Sequence, residues 1–175
     1  MDAYAYPSKI VKAREGGWLI RFRDFPEGHS QAEGGEDVVE AAEGLLQACI
    51  EARLLDGLEV PVPGEPRAGE ILVGVPIETA TKAALFRAVA SSGSSRLAIA
   101  KALGVDEKEL RRMLDPRHAS KLPRVARVLK SLGKELRLSV VDRPAAPRNH
   151  GAAEASARYR VKRAPSNRKR SRPGR

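Results

Sequence analysis

The stretch SSRLAIAKALGVDEKELRRML, residues 94–114, decides how this 175-residue chain is read. With Arg96 opening a first helix, Ala100 falls where a second helix must cross it closely, a place for a small side chain. Gly104 falls in the turn between them, where the backbone must take a positive φ that costs glycine nothing. Ile99, Leu103, Val105, Leu110 and Met113 stand where apolar residues close the pair, and residues 106–112 are otherwise polar. Ser94 or Ser95 has the chemistry of the first helix's N-cap. This spacing predicts a helix-turn-helix whose second helix faces nucleic acid.

Working outward, residues 81–90 read as a helix with Ala84, Leu85, Ala88 and Val89 inward, ended by Ser91, Ser92 and Gly93. Pro116 breaks the chain after the recognition helix. Residues 122–132 form a further helix, with Ser120 or a neighbour as its cap, Pro123 in its first turn, and Val125, Val128, Leu129 and Leu132 on one face. Leu136, Leu138 and Val140 alternate with Arg137 and Ser139, which predicts a short strand available for dimer formation. The candidate DNA contacts are Ser95, then Glu107, Lys108, Arg111 and Arg112 on the recognition helix, then Arg117, His118 and Lys121 in the loop after it. Arginine offers two donors to guanine, any of these cations pairs with phosphate, and Glu107 suits either cytosine or the helix N-terminus.

The net charge of +10 conceals a division. Residues 1–81 hold 7 Lys/Arg and 15 Asp/Glu, a net of −8; residues 82–141 hold 14 and 5, a net of +9; residues 142–175 hold 11 and 2, again +9. An acidic part followed by a basic part and a basic tail suggests two partners of opposite sign. Residues 142–175 carry almost no large aliphatic side chain and read as disordered; their polycation suits non-specific nucleic-acid affinity or solubility equally. One cysteine, Cys49, forms no internal disulfide, and the N-terminus lacks the pattern of a secretory signal, so a reducing, cytoplasmic setting is expected. No run of about 18 apolar residues occurs, so no membrane partner is expected.

In the acidic part, Tyr4 to Tyr6 and residues 9–13 read as one extended strand, Gly16-Gly17 as a turn and residues 18–22 as its hairpin partner. Proline donates nothing to a ladder, so Pro26 within residues 24–28 is expected to end that strand, with a short strand following at residues 29–32. Residues 36–55 read as a helix with Val38, Ala42, Leu45, Cys49 and Ala52 inward and Glu36, Glu40, Glu43, Gln47 and Glu51 outward. Residues 71–77 read as a last strand. The fold class is therefore α+β, a small sheet with one covering helix and then an all-helical helix-turn-helix domain with a short terminal strand. The divisions fall at 1–66, 67–81 (strand and connector), 82–141 and 142–175. No catalytic constellation is evident: His29 is alone in a loop, Ser30 lacks the glycines of a nucleophile elbow, and Cys49 lies on an apolar face. No metal-ligand spacing and no cofactor motif occur, and the chain is not read as an enzyme; a metal-dependent nuclease would need acidic residues gathered at strand ends.

The Gly16-Gly17-Trp18 turn, the run Phe22-Arg23-Asp24-Phe25-Pro26, the acidic helix, the Val60-Pro61-Val62-Pro63 loop and residues 112–120 resemble HicB antitoxins of the helix-turn-helix branch, over residues 4–141. The family often has proline where Arg23 stands, and Gly34-Gly35-Glu36 replaces a more usual Gly-Asp-Thr turn. The resemblance implies a partial ribonuclease-H-like N-terminal domain that blocks a HicA-type RNA-cleaving toxin. It also implies a DNA-binding domain that represses the toxin–antitoxin operon through operator DNA, and assembly as a homodimer or higher even oligomer. Trp18, Asp24, Phe25 and Glu27 are the expected toxin contacts, with Trp18 and Phe25 as anchors provided that their rings are exposed. The alternative is a stand-alone helix-turn-helix regulator whose N-terminal module senses a ligand or mediates assembly.

Overall fold

The computed structural model describes residues 4–145. Four strands and five helices follow in the order β1 (Ala5–Lys12), β2 (Trp18–Phe22), β3 (Phe25–Ala32), α1 (Val38–Leu55), β4 (Glu70–Gly74), α2 (Ile77–Ser91), α3 (Arg96–Leu103), α4 (Glu107–Leu114) and α5 (Leu122–Ser131). The fold class is α+β, as the pattern predicts. The strands form one antiparallel sheet in the order β3-β2-β1-β4.

Strand alternation decides which face is covered. The registers Ser8↔Phe22, Ile10↔Ile20 and Tyr6↔Val73 put these residues on one face, which packs against α1. Phe25 joins them, its ring edge-on to Tyr6 at 5.0 Å and to Phe22 at 6.5 Å. The Tyr6 hydroxyl donates to the Pro61 carbonyl at 2.7 Å, tying the loop after α1 to the sheet. Burial pushes that phenol pKa up to about 12. At Gly17, φ is +74°, and a Cβ would collide with the Ala32 carbonyl across the hairpin.

Several expectations are corrected. Pro26 does not interrupt β3, because β3 is the edge strand and has no ladder partner on its outer side. The chain turns through only Arg23 and Asp24, since Phe22 already pairs with Phe25; residues 26–28 are then extra on β3 before Arg21 pairs with His29. On α1 the buried face is Val38, Val39, Ala42, Leu46, Cys49, Ile50 and Leu54, so Ala52 is exposed and Leu45 only half-buried. Asp37 caps this helix through both Val39 N and Glu40 N, which starts it at Val38 rather than Glu36. β4 ends at Gly74, because Pro76 fixes the start of α2 and draws Ile77 into that helix.

A second core gathers Leu85, Ala88, Ile99, Ala100, Leu110, Met113, Leu114, Val125, Val128 and Leu129 from α2 to α5. Phe86 packs against both cores. On α2 the buried residues are Thr79, Thr81, Lys82, Ala83, Leu85 and Ala88, with Ala84 and Val89 half-buried. The N-cap of α5 is Lys121, without a side-chain bond; Ser120 is engaged elsewhere. The strand expected at 136–140 does not form: these residues pair with no strand among the described residues, and Leu138 and Val140 are exposed. The expected tail lies, beyond residue 145, outside the described residues. No helix among the described residues is long and apolar enough to cross a membrane.

Candidate functional site

Helices α3 and α4 are set by local chemistry. Ser95 Oγ accepts from Ala98 N at 3.1 Å and Asp106 Oδ1 from Lys108 N at 2.9 Å, so each N-terminus has its cap. Gly104 takes φ +65°, and Val105 N then reaches back to the Ala100 carbonyl at 3.0 Å. Ala100 is 1% exposed, packed into the second core. Leu110, Met113 and Leu114 hold α4 inward. Lys108, Arg111 and Arg112 consequently point outward and are exposed. Glu107 and Glu109 in the first turn and Arg111 and Arg112 in the last also complement the dipole of α4.

The structure brings Lys108, Arg112, His118 and Lys121 around one cleft of about 580 Å³, with Asp106, Glu109 and Arg124 on its walls. Ser95, Glu107, Arg111 and Arg117 are exposed but do not line that cleft. Arg117 is held by Asp115 at 3.1 Å, and this pair lowers the carboxyl pKa of Asp115 and raises the guanidinium pKa of Arg117. Arg124 belongs to the surface but is absent from the candidate set; its Nη1 donates to Glu109 at 2.6 Å across α4 and α5. A basic residue in the first turn of a helix already read from sequence was the available signal.

Lys82 is also missing from the candidate set. Only 4% exposed, it sends its Nζ to the Met113 carbonyl at 2.7 Å, to Ser120 Oγ at 2.7 Å and to the Arg112 carbonyl at 3.4 Å. Burial lowers its pKa, against the opposing pull of Asp115 and Glu78. Its signal in the sequence was position: it stands three residues before Leu85, on the buried stripe of α2.

On the sheet side, the expected toxin contacts do not form one patch. Asp24, Phe25 and Glu27 lie at the β2–β3 turn, and Trp18 lies at the other end of β2, about 14 Å away at strand rise. An anchor needs an exposed ring, and the Phe25 ring is fully buried, so that role is withdrawn. Trp18 is half-buried against the sheet core. Asp24 accepts from Gly64 N at 2.9 Å, and Glu27 is exposed in an ion pair with Arg53 at 2.6 Å. The acidic stripe of α1 is solvated only in part: Glu36 and Glu40 are exposed, whereas Glu51 accepts from Gln47 and from Thr79 of α2. Across the open face of the sheet Lys9 of β1 and Arg21 of β2 stand side by side, with His29 of β3 beyond Arg21 and Glu70 of β4 beyond Lys9. Cys49 is buried in the core between the sheet and α1, and desolvation raises its thiol pKa.

A basic helical surface thus follows a small, mainly acidic sheet module. A family model described as the HicB-like antitoxin of bacterial toxin–antitoxin systems matches residues 5–84, which covers the sheet, α1 and the first half of α2. Antitoxin HicB of Escherichia coli strain K12 is 31% identical over 136 residues, 78% of this chain and 99% of that protein. Antitoxin HicB 1 of Photorhabdus laumondii is 31% identical over 135 residues, 77% of this chain and 86% of that protein. Antitoxin HicB of Pseudomonas fluorescens strain Pf0-1 is 29% identical over 132 residues. The chain belongs to the HicB antitoxin family. Its general role is that of an antitoxin in a toxin–antitoxin system, with a toxin as its partner.

Proposed function

We propose that the chain neutralises a HicA-type RNA-cleaving toxin with its sheet module and represses its own operon with its helical module. The observation that supports the second half is the α3–Gly104–α4 unit, with both helices capped and Lys108, Arg111 and Arg112 turned outward. Lys121 and Arg124 face the same cleft from α5 and supply further phosphate partners. In this reading residues 1–66 form the toxin-binding module, 67–81 the strand and connector and 82–141 the DNA-binding domain, while residues 142–175 add a basic tail. A homodimer would present two recognition helices to a palindromic operator. Toxin contact falls to Asp24 and Glu27 at one end of the sheet and Trp18 at the other. The protein acts in the cytoplasm, and at the nucleoid when bound to DNA, without cofactor or catalysis of its own.

Co-expression with the small open reading frame adjoining this gene tests the toxin half. The expected outcome is a toxic product that becomes harmless and co-purifies with this chain; a harmless product, or one that fails to co-purify, contradicts it. A gel shift on the DNA upstream of the pair tests the repressor half.

A further inference from the structure

A buried lysine carries a large desolvation penalty, and an apolar side chain in its place on α2 would fill the same core without it. Lys82 nevertheless sits 4% exposed, and its ammonium has three N–H groups and three acceptors within reach. Two of those acceptors are carbonyls of the last turn of α4, where a cation also complements the negative end of the helix dipole. The third, Ser120, ends the loop from α4 to α5. That loop carries Arg117 and His118, and Lys121 follows it directly. Both the basic last turn of α4 and the far end of the basic loop are thus fixed to one atom. The atom belongs to α2, whose adjacent residue Ala83 lies in the sheet core and whose Thr79 hydroxyl donates to Glu51 of α1 at 3.4 Å.

We propose that Lys82 is a positioning residue for operator recognition: its ammonium sets the pose of α4 and of the 115–121 loop on α2, and so governs sequence readout. This rests on the DNA-binding reading above. Base readout needs side chains held against particular base edges, whereas attraction to phosphate tolerates displacement. Loss of the ammonium therefore lowers preference for the operator and leaves general affinity for DNA in place.

The test uses the full chain as wild type, Lys82→Met, Lys82→Arg and Ser120→Ala. Each is measured for affinity to the upstream DNA and to a scrambled duplex of equal length at one salt concentration, and for amide hydrogen exchange over residues 115–121. Lys82→Met, which keeps the stem and removes the charge, is expected to lose about tenfold in preference, the discrimination of roughly one base contact. Its affinity for the scrambled duplex should stay within about twofold of wild type, since phosphate contacts are unchanged. Loop exchange should accelerate, Lys82→Arg should recover part of the preference, and Ser120→Ala should lose less of it. Undiminished preference in Lys82→Met, or equal loss on both duplexes, overturns the proposal. Should Lys82→Met fail to fold, Ser120→Ala decides, and unchanged preference with unchanged loop exchange overturns it. A wild type that does not distinguish the two duplexes removes the operator-recognition reading itself, a result separable from failure of the variants alone.

Discussion

The sheet module and the helical module close their cores by different means. In the first, an aromatic trio of Tyr6, Phe22 and Phe25 fills the space between sheet and helix, and bonds between distant residues tie the loops down. Tyr6 reaches Pro61, 55 residues away; Arg23 reaches Glu70, 47 away; Asp24 reaches Gly64, 40 away. In the second, the core is aliphatic and two of the helices are begun by adjacent side chains, Ser95 for α3 and Asp106 for α4. Lys82 ties that bundle together over 30 to 38 residues through a buried charge, and the exposed Arg124–Glu109 pair joins α4 to α5 over 15. The sheet module is thus held by topology, and the helical module by local code plus a buried anchor.

The largest effects should come from emptying either core. Phe25→Ala removes a fully buried ring in contact with two others and should cost about 3–5 kcal/mol, and Leu110→Ala, fully buried at the centre of the bundle, about 2–5 kcal/mol. Urea unfolding measures both. The aromatic core predicts the greater loss for Phe25→Ala, and the reverse order would make the bundle the tighter of the two. Next come two glycines of like conformation and unlike surroundings. Nothing lies within 4 Å of a Cβ at Gly104, so Gly104→Ala should cost only the strain of a left-handed residue, about 1–2 kcal/mol. Gly17→Ala adds a collision with the Ala32 backbone and should cost more. A larger loss at Gly104 would break the contrast between local code and close approach. Below these, Ser95→Ala should cost about 1 kcal/mol in thermal unfolding, the usual worth of a serine cap.

The smallest effect is a pH dependence in the sheet module. Hydrogen bonds from Arg53 hold the Glu27 carboxyl below its ordinary 4.5. Its folded pKa is lower than its unfolded one, so the stabilisation is complete above about pH 4.5 and disappears as pH falls through the depressed value. The pair is exposed, so the amount is under about 1 kcal/mol. Glu27→Gln should flatten that part of the acid unfolding curve, and an unchanged curve would show that the ion pair contributes nothing.

These contrasts also explain what the chain discloses before it is folded. Ser95, Gly104, Asp106 and the apolar positions between them act on residues a few places away, so the helix pair α3–α4 and its outward cations are legible directly. The sign of charge in each half is legible for the same reason. Pro26 misleads because its tolerance depends on β3 being an edge, a fact about strand order that no local window contains. The adjacent Leu45 and Leu46 permit two helical faces on α1, and only packing on the sheet selects Leu46. Whether Phe25 is exposed stays open in the sequence because the contact that buries it comes from Tyr6, nineteen positions earlier in the chain. Lys82 enters the sequence reading only as part of the charge of residues 82–141, because its acceptors lie 30 to 38 residues downstream.

The measurement that tests the division of labour most directly is a separation of functions in the full chain. Arg111→Ala combined with Arg112→Ala leaves the cores and the sheet module untouched. The account predicts that this variant no longer shifts the upstream DNA yet still protects cells from the co-expressed toxin. A DNA shift that survives the double substitution, or toxin protection lost together with it, would contradict the account.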